Sequence, residues 1–479
     1  MEAVSQQVTY DDTPVKWLIY PALIFLLFGM LVGLFISING FLMPDYFSGE
    51  YIHFGRVRPV HVGSVTLLWL LSVDVGLIYY FVPRLCGTPI WSVKLAKVGI
   101  IIWWFSLILG NLSFPFGTNW GWEFAEIPMF ISYVPVKVLF IIGWAMLAFN
   151  LLATVANRRY EKMYVSLWYT LGTIIWTTIT IYVGWFYIYQ LPGGISRVNA
   201  NFFYLHNLVG LIFTPMGLAA AYYFLPKMAN VPIYSHRLSM VGFWTIAFTY
   251  AWIGAHHIIH GPVSQWLQTT SIVFSIWLFI PVWSVVTNIF GTLRGNWKKY
   301  LENPGIRFIM MGNVFYLLTC VQGPLMALRN INEITSKTDW VIGHSHISLF
   351  ATFTFFATAG VYYCVPRLEK KPLWSPELAD WHFSLSMLGS FFFILPLWVG
   401  GFLQGLEWAN WANGKTYAEY LQNISVVPFI ETVVAMHPWW LMRTIGGAIL
   451  VFANFLFVLN IFNTKVLQPR ETVVPQEAV

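Results

Sequence analysis

The sequence predicts an all-α membrane protein, with about twelve transmembrane helices arranged in a pseudo-threefold bundle. Of its 479 residues, 58% are hydrophobic and only 10% are charged, which is more apolar than a water-facing domain tolerates. Apolar runs of roughly 20 residues, the length that crosses the hydrocarbon core, recur along the chain. A five-residue motif ends three of these runs, which indicates an internal repeat.

The apolar runs define one helical domain between two polar ends. Residues 1–16 form an N-terminal segment without a cleavable signal pattern, residues 17–464 the twelve-helix domain, and residues 465–479 a C-terminal tail. The predicted spans are 17–39, 59–83, 95–116, 129–154, 164–190, 199–225, 238–259, 265–291, 307–328, 342–365, 381–404 and 441–463.

The distribution of Lys and Arg predicts the orientation of the helices. A net charge of +6 could indicate nucleic-acid binding, but the cationic residues concentrate in alternate loops, for example at Arg158, Arg159 and Lys162. Placing both termini in the cytoplasm puts these loops on the inner side. The basic charge is therefore explained by membrane topology, and lipid rather than nucleic acid is the expected environment.

The motif Tyr-Tyr-x-x-Pro ends the second, sixth and tenth predicted helices, at residues 79–83, 222–226 and 362–366. Each of these helices also carries histidine near its opposite, outer end. Because the repeats are four helices apart and Pro ends a helix, the pattern predicts three four-helix units around a pseudo-threefold axis. The alternative is that the motif is only an interfacial stop signal.

Six histidines inside the apolar spans share one depth in the outer third of the membrane. An ionisable side chain is costly there and is usually functional. One such histidine would more often be a core residue, but six at a common depth predict a metal centre. They are His61, His206, His256, His257, His344 and His346.

The spacing of these histidines indicates two sites. Residues i and i+2 of a helix point about 200° apart, so His344 and His346 are expected to ligate different centres. His256 and His257 can bind one ion if their helix is distorted, with His206 as the third ligand. A three-His site leaves an open coordination position, and neutral imidazole suits copper or iron.

Three further residues inside the spans are candidates. Tyr250 precedes His257 by about two turns on the same helix face, so it could supply an electron and a proton. An ordinary aromatic core residue is the alternative. Asp74 and Lys137 also fall inside helices, and we expect both to be paired structural groups. Cysteine is not expected to act, because the three cysteines have no paired spacing.

With these residues in place, the sequence resembles the haem–copper oxidase superfamily, and specifically its C family, the cbb3-type cytochrome c oxidases. The resemblance runs from about Arg56 to Leu459 and implies the haem–copper oxidase bundle. The segments that carry it are His53-Phe-Gly-Arg-Val-Arg-Pro-Val-His61, Tyr204-Leu-His206-Asn-Leu-Val-Gly210, Tyr250-Ala-Trp-Ile-Gly-Ala-His256-His257, Gln322-Gly-Pro-Leu-Met326, Asp339-Trp-Val-Ile-Gly-His344-Ser-His346 and Gly400-Gly-Phe-Leu-Gln-Gly405.

The resemblance implies two b-type haems and one copper ion, with a role for each histidine. His61 and His346 would be the axial ligands of a low-spin haem b. His344 would be the proximal ligand of a high-spin haem b. The ligands of the copper ion facing that haem would be His206, His256 and His257.

Two positions distinguish this chain within the resemblance. In the A and B families the active-site Tyr stands four residues after the first copper ligand, where this chain has Gly210. Tyr250 instead resembles the C-family Tyr, which in that family is cross-linked to the ligand equivalent to His206. Where the family has a Glu in the ninth helix, this chain has Gln322. The tuning of the high-spin haem and the delivery of protons are therefore expected to differ.

Other residues resemble supporting groups of the family. Arg56 and Arg58 would bind haem propionates, a use that suits the guanidinium fork. Glu123 and Glu126 resemble an acidic pair near a calcium ion, although a solvated loop is the alternative. The residues that resemble the single K-type proton path are Tyr222, Tyr223, Ser239 and Tyr316.

The implied activity is that of a terminal respiratory oxidase of the bacterial inner membrane, which reduces O2 to water and couples this to proton uptake and translocation. The sequence has no Cys-x-x-Cys-His motif, so electrons are expected from c-type cytochrome subunits, supplied by cytochrome c or a similar donor. One alternative is a nitric oxide reductase, which needs carboxylates where Gly210 and Gln322 stand. A second is a proton-coupled secondary transporter, which leaves the paired histidines unexplained.

Overall fold

The computed structural model describes residues 8–117, 136–412 and 429–469. Within these ranges the chain is helical without β-strands, and twelve helices are long and apolar enough to cross a membrane. The predicted all-α membrane fold is confirmed, and the chain is a multi-pass membrane protein. The helices, labelled α1 to α12, are Thr13–Leu42, Phe54–Cys86, Val93–Phe116, Val136–Ala156, Val165–Gln190, Ile195–Ala229, His236–Ile258, Gln265–Leu293, Pro304–Ala327, Asp339–Glu369, Pro376–Ala409 and Ile430–Val466.

The boundaries differ from the predicted spans mainly where polar residues stand within a helix. The last apolar run predicts a start at residue 441, whereas α12 begins eleven residues earlier and includes Glu431 and His437. These polar residues lower the apolar signal without ending the helix. Residues 129–135 of the predicted fourth span lie outside the described part of the chain.

The same hydrogen-bond pattern occurs three times at the ends of α2, α6 and α10 that carry the Tyr-Tyr-x-x-Pro motifs. The Ser92 N–H donates to Asn150 Oδ1 at 2.9 Å, and Asn150 Nδ2 donates back to the Ser92 carbonyl at 2.8 Å. The same exchange joins Ser235 to Asn288 and Ser375 to Asn460. Each exchange ties a pair of helices, α3 to α4, α7 to α8 and α11 to α12. This repetition confirms three four-helix units.

The central helices α2, α6 and α10 each widen into a π-helix shortly after their histidines, at Ser64–Leu71, Leu208–Phe213 and Ile347–Thr354. A π-helix joins residues five rather than four positions apart by hydrogen bonds and is frequent at functional sites. A hydroxyl at or just beyond the end of each segment donates to a carbonyl five residues earlier. These bonds run from Ser72 to Leu67, from Thr214 to Val209 and from Thr354 to Leu349, at 2.9, 3.0 and 3.0 Å.

The Tyr-Tyr-x-x-Pro motifs pack against one another at the pseudo-threefold axis. The ring centroids of Phe81 and Tyr223 are 5.2 Å apart, and those of Phe224 and Tyr363 are 5.3 Å apart. All four side chains are buried. The motif is therefore part of the protein core and not only an interfacial stop signal. Below, the end of the bundle with these motifs is called the proline end, and the opposite end the histidine end.

Of the two charged residues inside helices, one has the expected partner. Lys137 Nζ lies 3.4 Å from the Tyr189 hydroxyl. Asp74 is 1% exposed, and neither of its carboxylate oxygens has a hydrogen-bond partner among the described residues. The expected pairing is therefore wrong for Asp74. The repeat places Gly217 and Ala357 at the equivalent positions, five residues before each Tyr-Tyr pair, so the fold does not need an acid there.

Candidate metal centre

Three histidines from α6 and α7 come together at the histidine end. Ring nitrogens of His206, His256 and His257 all lie within 4.8 Å of one another. The ring centroid of His206 lies 4.7 Å from that of His256 and 5.4 Å from that of His257. Three neutral imidazoles at this spacing can surround one ion, because metal–nitrogen bonds are about 2 Å long.

A change of helix type in α7 allows the adjacent residues His256 and His257 to face His206 together. The α-helical part is followed by 3₁₀ turns at Tyr250–Trp252 and Gly254–Ile258. A Cβ on Gly254 would lie 2.8 Å from the Phe202 carbonyl oxygen, so only glycine permits this close approach of α7 to α6. The His257 ring stacks on Phe202 at 5.2 Å, which holds it toward α6.

The two histidines of the His-x-His segment in α10 face different neighbours. His344 Nδ1 lies 2.9 Å from Gln322 Oε1, and His344 interacts electrostatically with His206 and His257. The His346 ring instead lies nearly parallel to that of His61, at an interplanar angle of 18°. One segment of α10 thus joins the three-His cluster to a second histidine pair.

Hydrogen bonds set the protonation of four of the six imidazoles. In each of these the Nδ1 atom faces an acceptor and must carry the proton, which leaves the Nε2 lone pair available to a metal. The acceptors are the Gly29 carbonyl for His61, the Ile342 carbonyl for His346, Ser275 Oγ for His256 and Gln322 Oε1 for His344, at 2.7 to 2.9 Å. Ser275 accepts because its own hydrogen goes to the Ser271 carbonyl. The donor set therefore fits metal ions.

The His61–His346 spacing also fits a shared ion. The ring centroids are 6.4 Å apart. Imidazoles on opposite sides of one ion would have centroids about 6 Å apart, given metal–nitrogen bonds of about 2 Å. A Cβ on Gly33 would lie 2.6 Å from His61 Cε1, so glycine is needed where α1 passes this ring.

Tyr250 lies beside the three-His cluster. Its ring centroid is 4.9 Å from that of His206. A Cβ on Gly210 would overlap the Tyr250 ring, so glycine at this position of α6 makes room for a tyrosine supplied by α7. The Tyr250 side chain therefore occupies the space beside Gly210. Thr214 interacts with the Tyr250 side chain from α6.

Of the four predicted proton-path residues, Tyr316 lies near Tyr250, and Tyr222 lies near Tyr316. Tyr316 interacts with Cys320 one turn along α9, and electrostatically with Tyr250 and Tyr222. Tyr222 is 2% exposed and stacks on Tyr169 at 5.9 Å. The Tyr169 hydroxyl is buried without a hydrogen-bond partner among the described residues, and the Tyr222 hydroxyl interacts with the Asn288 side chain. The Tyr169 hydroxyl is therefore available to water near Tyr222.

The other two predicted path residues have different surroundings. Ser239 Oγ donates to the His236 carbonyl at 2.7 Å, within its own helix. The Tyr223 ring stacks on Phe81 in the axial aromatic cluster. Their contacts resemble packing and helix-end interactions more than those of a proton relay.

The predicted haem-propionate residues flank His61 at the start of α2. Arg56 donates to Glu50 Oε1 at 3.1 Å and to the Pro115 carbonyl at 3.0 Å. Arg58 interacts electrostatically with His61. The predicted calcium residues lie outside the described part of the chain: Glu123 and Glu126.

Arg443 in α12 is not among the functional residues predicted from the sequence. This side chain is buried, and its Nε and one terminal nitrogen have no hydrogen-bond partner among the described residues. The other terminal nitrogen lies 3.9 Å from Asp339 Oδ2, which also accepts from Trp440 Nε1 at 2.7 Å. Arg443 interacts electrostatically with His346. An arginine inside the last apolar run was the available signal, because such residues are rare in membrane helices.

Comparisons with known proteins show which family the chain belongs to. The family model described as "Cytochrome C and Quinol oxidase polypeptide I" matches residues 13–449. The Cbb3-type cytochrome c oxidase subunit CcoN1 of Stutzerimonas stutzeri is 31% identical over 446 residues, which cover 91% of each chain. The bacteroid cytochrome c oxidase subunit 1 homolog of Bradyrhizobium diazoefficiens is 30% identical over 98% of this chain and 85% of its own.

The fold is also that of a solved structure. A heme-copper terminal oxidase dimer determined by cryo-EM matches with a TM-score of 0.76 at 16% identity, covering 96% of this chain and 85% of that one. Haem and copper are the cofactors that this family implies, and the histidine clusters fit them. The chain belongs to the cytochrome c and quinol oxidase polypeptide I family and is an oxidase subunit I of the cbb3-type group.

Proposed function

We propose that this protein reduces O2 to water at a centre formed by a high-spin haem b and a copper ion, and couples this reaction to proton uptake and translocation. The observation that carries the proposal is the His206–His256–His257 cluster with Tyr250 packed against it. His344, on the adjacent α10, would hold the high-spin haem iron. His61 and His346 would hold a low-spin haem b.

The metal groups, when bound, supply O2 binding and most of the electrons. The chain's own residues orient them. Gln322 and Ser275 each accept a hydrogen bond from the Nδ1 atom of a ligating imidazole, which fixes the ring and directs Nε2 to the metal. Tyr250 would give a proton and an electron from its hydroxyl, and a cross-link to His206 would hold it in place.

Protons for the reaction would reach Tyr250 from the proline end. Tyr222, Tyr316 and Cys320 lie along that route, and Thr214 contacts Tyr250 at its end. Water bound at the unpartnered Tyr169 hydroxyl, beside Tyr222, would complete the path. Tyr223 and Ser239 would contribute less, because their contacts hold them elsewhere.

The remaining assignments concern charge and partners. Arg58 and Arg443 would bind the haem propionates, with Arg56 beside them and Glu123 and Glu126 near a calcium ion. Electrons would come from c-type cytochrome subunits of the same complex, supplied by cytochrome c or a similar donor. The Lys and Arg distribution supports a bacterial inner membrane location with the proline end and both termini in the cytoplasm.

Metal analysis of the purified complex, combined with turnover on O2 and on NO under one electron donor, tests the proposal. We expect one copper for two b-type haems and faster O2 consumption than NO consumption. Iron without copper, together with preferential NO turnover, would instead establish a nitric oxide reductase. The absence of haem absorption bands would contradict both and favour the transporter alternative.

Gln322 should tune the high-spin haem through His344. Gln322→Glu would place a carboxylate on His344 Nδ1 and make the imidazole a stronger donor, which stabilises the oxidised iron. We expect the midpoint potential to fall by on the order of 100 mV, the size of one unit charge at close range with an effective dielectric of about 20. Redox titration of the high-spin haem bands measures this. An unchanged potential would mean that Gln322 does not act through His344.

Arg443 should tune the low-spin haem. Arg443→Gln removes a positive charge that interacts with His346, so the oxidised haem becomes relatively more stable. The low-spin midpoint potential should fall by on the order of 100 mV, again the effect of one unit charge at close range. Arg197→Gln, at an arginine bound to the Leu191 carbonyl, is the matched control and should leave the potential unchanged. Equal shifts in the two variants would argue against a propionate partner.

A further inference from the structure

A short helix between α9 and α10 lies against the three-His cluster and has no part in the function proposed above. It covers Arg329–Thr335 and is called the connecting helix below. Its Asn332 is 6% exposed, and the side-chain amide of this residue donates to main-chain carbonyls of two other helices. Asn332 Nδ2 lies 2.9 Å from the Met326 carbonyl oxygen and 3.4 Å from the His256 carbonyl oxygen. One amide group therefore joins α9 to α7.

Both of these carbonyls stand where a helix needs an outside donor. The last carbonyls of a helix have no partner within it, and Met326 and His256 lie in the last turns of α9 and α7. Among the described residues, no backbone N–H beyond these helices donates to either carbonyl. A side-chain amide carries two hydrogens, so Asn332 can cap both helices at once.

The two capped helices carry ligands for the two sides of the metal centre. His256 is itself one of the three clustered histidines. Met326 stands about one turn after Gln322, whose side chain accepts a hydrogen bond from His344 Nδ1 at 2.9 Å. Asn332 thus connects the backbone of one proposed copper ligand to the helix that orients the proposed haem ligand.

Contacts on two sides hold the connecting helix in place. On α8, Thr269 Oγ1 accepts a hydrogen bond from Arg329 Nη2 at 3.0 Å. On α11, a Cβ on Gly405 would overlap the Ile334 carbonyl oxygen, so only glycine permits this close approach. Gly405 ends the 400–405 segment that the sequence analysis singled out, and this contact gives that segment a structural reason. The capping amide is therefore presented from a fixed support.

We propose that Asn332 is a positioning residue that sets the separation between the copper ligands of α7 and the high-spin haem held by His344. The proposal rests on the proposed function for the assignment of the two metals. Because O2 would react between iron and copper, their separation matters, and a displacement of about 1 Å can lower a rate by on the order of 100-fold. Two hydrogen bonds from one short side chain limit how far α7 and α9 can move apart.

O2 turnover of the whole complex is the first measurement. Asn332→Leu keeps a side chain of similar size but removes both donors, so turnover should fall by roughly 10-fold or more while haem and copper contents remain those of the wild type. Asn330→Leu makes the same change at an exposed position of the connecting helix and should behave as wild type. Equal turnover in the two variants would overturn the proposal.

The infrared spectrum of bound CO distinguishes positioning from a general loss of stability. CO bound to the reduced haem iron is released by light and captured by the copper ion. In Asn332→Leu the band of copper-bound CO should broaden or shift, and the rate of CO return to iron should change severalfold, because the copper ligands are no longer held at one distance. A purely structural role would lower the yield of complex and leave the band and the return rate unchanged.

A second variant keeps the test decisive if Asn332→Leu does not assemble. Asn332→Ser adds no apolar volume, and its shorter hydroxyl has one hydrogen, so it cannot cap both carbonyls. It should change the CO band and the turnover in the same direction, and wild-type values of both would refute the proposal. Wild-type complex that lacks copper or does not consume O2 would refute the proposed function instead, so the two failures are distinguishable.

Discussion

Tyr250→Phe is expected to lower O2 turnover by roughly 100-fold or more while haem and copper contents remain those of the wild type. The substitution removes the hydroxyl and, with it, the proposed cross-link to His206, while the ring keeps its contacts with Gly210 and His206. All three imidazoles remain in place, so a loss of turnover with unchanged copper content reports the missing phenol. Steady-state oxygen consumption, together with metal analysis and haem spectra of the same preparation, measures the effect.

Tyr182→Phe provides the matched control, because Tyr182 is 53% exposed on the lipid-facing side of α5. It should retain wild-type turnover. Gly210→Ala tests the same hydroxyl by displacing it. The added methyl group would overlap the Tyr250 ring and push it away, so turnover should fall as in Tyr250→Phe. Full turnover in Tyr250→Phe would exclude Tyr250 from the chemistry and leave the ring with a packing role.

The convergence of the histidines could be predicted because it depends on periodicity along single helices. Depth in the membrane follows from position within a span, and the direction of His344 relative to His346 follows from the helical turn. The repeated Tyr-Tyr-x-x-Pro motif then relates one helix to the next. Each of these quantities can be read from a linear sequence without knowing which helices touch.

Features that depend on contacts between helices could not be predicted in this way. The sequence predicts a partner for Asp74, but pairing depends on the facing helices, and the described residues give its carboxylate no hydrogen-bond partner. Arg443 is separated from Asp339 by 104 positions along the chain. The Ser–Asn exchanges span 58, 53 and 85 residues, so their common geometry became visible only in the folded chain.

His256→Ala is expected to abolish copper binding and O2 turnover together, with both haems retained. It removes one of three imidazoles whose nitrogens lie within 4.8 Å of one another, so the metal loses a ligand that no other described residue is placed to replace. Even loss of a residue that only orients a ligand typically weakens metal binding 10- to 100-fold, and loss of the ligand itself should exceed roughly 100-fold. Copper analysis and the pyridine haemochrome spectrum measure the two contents separately.

His260→Ala is the matched control for His256→Ala. His260 is exposed at the same end of the bundle and contacts only a backbone carbonyl, that of Arg329, in the hydrogen bonds described. It should keep both copper and turnover. Ser275→Ala should fall between the two, because it leaves the imidazole in place but frees its Nδ1 proton and so loosens the ring. This graded order is specific to a metal held by His256: general destabilisation of α7 would lower haem content as well, and an unmetallated structural histidine would leave copper unchanged in all three variants.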